Sequence, residues 1–182
     1  LKGYRFDPSE VRILQNGGSL ELEIRGLWYR TVLWEVPLMA MISELYFQMT
    51  GQFARQVEEK AIHKARRFAE IGAEISEFGT RRRFSFEVQD RVIGILKEYS
   101  GKYLKGSSNV CLVMKYNLTP MGTHPHEWFM YHGAHYGYRS ANALALANWV
   151  DVYDGHLGIA LTDTYTTDNF FSSFETQYAK LF

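Results

Sequence analysis

The chain of 182 residues contains one cysteine, Cys111. A single thiol excludes an intramolecular disulfide framework, a zinc ribbon and CxxC chemistry, and it suits a reducing compartment. An excess of one charge is also missing. Lys plus Arg is 20 and Asp plus Glu is 20, a formal net charge of +0. This excludes a nucleic-acid binder that relies on bulk basic charge, while leaving room for a local basic cluster. No apolar run reaches the length of a membrane span, and the mean hydropathy is −0.25. No secretory signal pattern opens the chain. Prolines number four, and no Pro/Gly/Ser-rich linker, repeat or low-complexity stretch divides the sequence. The glycine motifs of nucleotide sites, GxGxxG and Walker A, are absent.

What is present is a globular composition. Hydrophobic residues make up 46%, charged residues 22% and aromatics 15%, enough to bury a sizeable core. The length suits one ordinary domain or a piece of a larger one. The chain starts at Leu1 without a methionine and stops at Phe182 straight after a helix-like stretch, so we expect part of a longer chain.

Hydrophobic periodicity changes along the sequence. Leu20, Leu22 and Ile24 alternate with Glu21, Glu23 and Arg25, the period of a strand, and Gly17-Gly18 supplies a turn before them. Residues 10 to 33 read as a small antiparallel meander whose third strand runs from Trp28 to Leu33. After Pro37 the period becomes helical. Phe53, Val57, Ala61, Ala65 and Phe68 form one face, and Val88, Val92, Ile95, Leu96 and Tyr99 form another. Residues 141 to 150 are apolar on nearly every side and predict a buried helix. Short apolar runs lie between the helices: 75–78, 118–121 and 157–161. Each leads into a polar segment. Strands alternating with helices indicate βα units and a parallel sheet, in which chemistry sits where strands end and helices begin. Three polar strand ends meeting on one rim would make a site.

Several constellations stand at those ends. Arg81-Arg82-Arg83 is a compact positive cluster beside Gly79. Arg offers a planar fork of donors that matches a carboxylate or phosphate; a solvated loop is the plainer reading of the same run. Gly106-Ser107-Ser108-Asn109 precedes Val110–Met114 and predicts a capped helix start, which can also receive an anion. His124, His126, His132 and His135 cluster around Glu127. Met130 stands where the second histidine of HExxH would fall, and the spacing fits no standard zinc pattern. One functional histidine at the strand end is the better reading, with His132 and His135 on a helix. Pro125 biases His124 towards an extended backbone, and alternation then puts His124 and His126 on the same side. Asp163 ends an apolar run, a place for a helix cap, a metal contact or a substrate hydroxyl; Asp168 is the alternative cap.

Taken together, Glu77-Phe78-Gly79-Thr80-Arg81-Arg82-Arg83, Gly106-Ser107-Ser108-Asn109-Val110 and Gly122-Thr123-His124-Pro125-His126-Glu127-Trp128 resemble the nicotinate phosphoribosyltransferase family. Tyr4-Arg5-Phe6 and Leu161-Thr162-Asp163-Thr164-Tyr165 extend the likeness from end to end, in the family's order and spacing. The resemblance implies an α/β fold, with α+β character at the N-terminal end. Residues 1–35 would be part of a β-rich N-terminal domain and residues 36–182 part of an irregular α/β barrel. It further implies coupling of nicotinate to 5-phosphoribosyl 1-pyrophosphate, with ATP as co-substrate and Mg²⁺ as cofactor, in cytoplasmic NAD biosynthesis by a homodimeric full-length protein.

The same resemblance assigns roles. The family's GT-x-x-H-E-W motif puts a phosphohistidine at His126, and His124 falls on a variable position of it. The Arg after F-G-T corresponds to Arg81, expected with Thr80 to engage the pyridine substrate or a phosphate. Ser108 is expected near the nicotinate carboxylate, and Asp163 on the ribose or Mg²⁺ side. Members of the family are longer than this chain. A substrate-stacking Tyr, an Arg/His-Asp-Ser-Gly-Asp motif and later glycine-rich phosphate loops have no counterpart here, so the chain is expected to hold half a site. Two other readings are an inactive module of the same fold and a nicotinamide-using relative. Retention of His126, Arg81 and Asp163 disfavours the first. Ser108, where the relative carries an acidic residue, disfavours the second.

Overall fold

The computed structural model describes residues 4–154, 156 and 159–181. It is a mixed α/β chain in two compact units, residues 1–119 and 120–182.

In the first unit, β1 (Val11–Asn16) pairs antiparallel with β2 (Ser19–Ile24), in the register Val11 to Ile24 and Asn16 to Ser19. Gly17 turns the hairpin at φ +59°, a conformation that favours glycine. The predicted third strand is absent. Residues 28–31 instead form a short helix, α1 (Trp28–Thr31), followed by a 3₁₀ turn over Val32–Trp34. The reason is a tertiary anchor. Glu10 accepts from Arg30 Nε at 2.5 Å and from Trp34 Nε1 at 2.9 Å. Both donors reach one carboxylate only if the segment coils.

Helix α2 (Glu35–Met49) buries Leu38 and Ala40. Helix α3 (Val57–Ile71) buries Ala61 and Ala65, the predicted face, but begins after Phe53, whose ring stays exposed. Strand β3 (Ile75–Glu77) leads through a 3₁₀ turn at Thr80–Arg82 into α4 (Phe86–Ser100), which the Ser85 side chain caps by accepting from Val88 N. Strand β4 (Leu104–Ser107) runs parallel to β3, and α5 (Val110–Tyr116) follows it. Strand β5 (Thr119–Pro120) completes the sheet order β3-β4-β5. Ala65, Leu96 and Leu104 form the core, with Ile75, Val92, Tyr99 and Leu118 packed on it.

The second unit is helical. Helices α6 (His126–Tyr136) and α7 (Tyr138–Tyr153) pack together, and α8 (Thr167–Ser172) follows a loop. Phe129, Ala145, Leu146, Phe170 and Tyr178 form its core. The predicted apolar helix at 141–150 is the body of α7, which turns Ala141, Ala145 and Leu146 inward. Of the strand predicted at 157–161, Leu157 and Gly158 lie outside the described residues, and Ile159–Leu161 form no strand. The Ile159 carbonyl instead accepts from His124 N at 2.8 Å. No helix among the described residues is long and apolar enough to cross a membrane.

Candidate active site

Each unit carries part of the predicted set: Thr80, Arg81 and Ser108 in the first, His126 and Asp163 in the second.

Parallel pairing of β3 and β4 puts the carboxyl ends of both strands side by side, with Glu77 opposite Ser107. The loops that leave them, 79–83 and 107–109, are therefore neighbours, which is where open α/β sheets place ligands. Ser108 N donates to the Glu77 carbonyl at 2.9 Å, so Ser108 is held at the strand end. Thr80 Oγ1 accepts from Gln89 Nε2 at 2.9 Å and Asn109 Nδ2 at 3.3 Å. The three arginines separate. Arg81 is half-exposed and pairs with Glu35 at the start of α2. Arg82 is exposed. Arg83 is drawn inward, 3.6 Å from Glu44 Oε2, bonded to Gln89 Oε1 at 3.3 Å and lying over the Phe86 ring. Helix α5 begins as the sequence predicts, with Asn109 Oδ1 accepting from Leu112 N at 3.2 Å. The geometry there is that of a cap.

In the second unit the two candidate histidines part company. His124 is fully buried, its ring centroid 4.2 Å from that of Trp149 and 6.0 Å from that of Phe129. Burial alone holds its pKa down, from 6.5 to about 4, because the charged ring would lose its water. His126 is the first residue of α6, and half of its side chain is exposed. The expectation that both face one side thus fails. Pro125 is extended (φ −80°, ψ 147°), but the helix starts at the next residue, and strand alternation does not cross that boundary.

His126 Nδ1 lies 3.1 Å from Thr164 Oγ1, and His126 Nε2 lies 3.8 Å from Asp163 Oδ1. A hydrogen bond fastens the segment that brings these residues to α6. Tyr165 OH donates to the Phe129 carbonyl at 3.0 Å. Gly133 lets it in: a Cβ there would stand 2.1 Å from the Tyr165 oxygen. Asp163 is exposed, and α8 is capped by Thr166, whose hydroxyl accepts from Asn169 N at 3.1 Å. Asp168 lies in the first turn of α8. His132 is buried between α6 and α7. Its Nδ1 donates to the Trp128 carbonyl at 2.7 Å, and its Nε2 accepts from Asn148 Nδ2 at 2.9 Å.

Sequence reasoning passed over Glu77, Gln89, Ser107 and Thr164, which support the predicted residues. The available signal was a polar Gln89 on the same face as Ile93 and Leu96, the buried side of α4.

Comparison with known proteins bears out the family resemblance. Residues 73–182 match the nicotinate phosphoribosyltransferase (NAPRTase) family, and residues 1–43 match the NAPRTase N-terminal domain. A nicotinate phosphoribosyltransferase of Chromohalobacter salexigens is 53% identical over 186 residues, covering 100% of this chain and 47% of that protein. The one of Desulforapulum autotrophicum is 48% identical over 187 residues, covering 100% and 48%. The crystal structure of the Porphyromonas gingivalis nicotinate phosphoribosyltransferase superposes with a TM-score of 0.93 at 51% identity, over 99% of this chain and 47% of that one. The chain thus spans about half the length of the curated relatives it matches. With the family model covering residues 73–182, the chain belongs to the nicotinate phosphoribosyltransferase family.

Proposed function

We propose that the whole protein carrying this chain couples nicotinate to 5-phosphoribosyl 1-pyrophosphate, forming nicotinate mononucleotide and pyrophosphate, with ATP hydrolysis coupled through His126. The observation that supports this best is an exposed histidine in the family's motif, with Thr164 beside one ring nitrogen and Asp163 near the other. A histidine that accepts a phosphoryl group needs a lone pair on an accessible nitrogen and a partner that fixes the tautomer. Thr164 supplies the partner when Nδ1–H donates to its hydroxyl. Nε2 then carries the lone pair, next to solvent.

The other roles follow from charge. Nicotinate is a flat anion, for which the Arg81 fork and the neutral Ser108 hydroxyl are suitable partners. Transfer of the ribosyl group builds positive charge on the ribose as pyrophosphate leaves, and a carboxylate such as Asp163 stabilises it. Mg²⁺ is held by one or two carboxylates and the substrate's phosphates and keeps several waters. Asp163 would be its protein ligand, and the ion would neutralise pyrophosphate charge. In this reading residues 1–35 belong to a β-rich domain and residues 36–182 to an α/β barrel. The protein acts in the cytoplasm as a homodimer.

The test is a product assay on the whole protein with nicotinate, nicotinamide and quinolinate in parallel, with and without ATP. Mononucleotide formed from nicotinate and stimulated by ATP is the expected result. A preference for nicotinamide or quinolinate would overturn the assignment.

A further inference from the structure

The strand-end residue Glu77 has no role in the reading above, yet the polar contacts of both loops lead to it. Its Oε1 accepts from Gly79 N at 2.6 Å and from Gln89 Nε2 at 3.0 Å, and its Oε2 accepts from Ser107 Oγ at 2.6 Å. Ser107 Oγ in turn accepts from Asn109 N at 3.0 Å. Gln89 and Asn109 both donate to Thr80. One carboxylate therefore holds the residue before Thr80 and the pair that flanks Ser108. Its partners are a backbone N–H, an amide and a hydroxyl. The backbone N–H and the Gln89 amide can only donate, and Gln89 Nε2 reaches both oxygens, at 3.0 Å and 3.2 Å, so a carboxylate satisfies them together, whereas an amide would set its own NH₂ against a donor in either orientation. Gly79 is part of the arrangement. Its backbone is ordinary, but a Cβ would stand 2.6 Å from Glu77 Oε1.

We propose that Glu77 is a positioning residue that locks loops 79–83 and 107–109 into one rim and so sets the geometry presented to the pyridine substrate. The link to that substrate rests on the functional reading above; the lock itself does not. Substituting Glu77 by Gln removes the charge and puts a donor against a donor, at nearly the same size. Gly79→Ala disturbs the same contact from the other side with the charge intact.

Two measurements on the whole protein decide. The first is amide hydrogen exchange. In Glu77→Gln the amides of Gly79 and Asn109 should exchange faster together, by about tenfold or more, with Ile75 and Leu104 unchanged. Faster exchange at Gly79 alone would mean that each loop is held independently, and would overturn the lock. The second is kinetics. Glu77→Gln and Gly79→Ala should each raise the nicotinate KM by about tenfold, with the KM for the phosphoribosyl donor moving less than about threefold. Glu74→Gln should move neither, since it loses only the Lys105 pair at the far end of the strands. A Glu77→Gln protein with a lower melting temperature, less active enzyme and an unchanged nicotinate KM would show a purely structural residue. Should Glu77→Gln fail to fold, Ser107→Ala breaks one arm of the network, and an unchanged nicotinate KM there would equally overturn the proposal. A wild-type protein that turns over no nicotinate would strike the functional reading alone, because the exchange experiment still reads the lock.

Discussion

His126 Nδ1 lies 3.1 Å from the hydroxyl of Thr164, a residue 38 positions away in sequence. The contact gives one nitrogen of an exposed ring a hydroxyl partner, which holds a single tautomer when Nδ1–H donates to it. His124, two residues before His126, is buried against Trp149. Given γ-labelled ATP, the whole protein should form an acid-labile, base-stable phosphoprotein. His126→Asn should abolish the label and the ATP stimulation, leaving slow ATP-independent transfer. His124→Asn should keep most of the label on whatever folds. Label lost in His124→Asn and kept in His126→Asn would reverse the assignment.

Thr164 can be tested separately. Thr164→Val keeps the shape and removes the hydroxyl, so the ring loses the partner beside Nδ1. Labelling of His126 should slow by about tenfold, the lower end of what loss of a partner that orients a ligating histidine costs. Thr164→Ser should restore most of the rate. Equal rates in all three proteins would make the contact incidental.

Arg81 pairs with Glu35 at the start of α2. A half-exposed ion pair is worth at most about 1 kcal/mol, so an anionic substrate can displace it cheaply. Glu35→Gln should lower the nicotinate KM by a few-fold at most. Arg81→Lys should raise it strongly, because a point charge does not reproduce a bidentate fork. If Arg83→Lys raises it and Arg81→Lys does not, the residue within the cluster is wrongly chosen. The inward position of Arg83 argues against that outcome.

Ser108 is held at a strand end by its own backbone N–H, so its side chain can be changed without breaking that bond. Ser108→Asp sets a carboxylate against the proposed nicotinate carboxylate. Nicotinate use should weaken far more than binding of the phosphoribosyl donor. Equal rises in both Michaelis constants would show that Ser108 serves structure only.

Burial of His124 has a consequence for stability. The unfolded chain takes up a proton near the ordinary pKa of 6.5, whereas the folded chain resists until about 4. The unfolded state therefore binds more protons between these values, and stability falls as pH drops through that window. It is fully present above 6.5, and the total loss is roughly 3 kcal/mol. His124→Phe keeps a ring against Phe129 and Trp149 and removes the titration. Urea midpoints at pH 7 and pH 4.5 check this: the wild-type drop should exceed that of the variant. Equal drops would place the acid sensitivity elsewhere.

Local features of this protein were legible in its sequence. The Gly17-Gly18 turn, the cap at Asn109 and the inward face of α3 arise from interactions within about four residues, where composition and spacing decide the outcome; in α4 the buried face falls on Gln89, Ile93, Leu96 and Ser100, and of the predicted apolar set only Leu96 is among them. The residues Arg81, Ser108, His126 and Asp163 were named by the resemblance of their motifs to a known family, since spacing alone left the arginine and the histidine open. Their surroundings were not legible there. Residues 28–31 are helical because Glu10 gathers Arg30 and Trp34. Glu77 meets Ser107 from 30 positions away, and Arg81 meets Glu35 from 46. Even His124 and His126, separated only by a proline, were assigned to burial and exposure by where α6 begins and by what packs against it. Periodicity reports which face of an element is apolar. Which distant side chain completes a hydrogen bond depends on the path of the chain between them, and only the folded structure decides that.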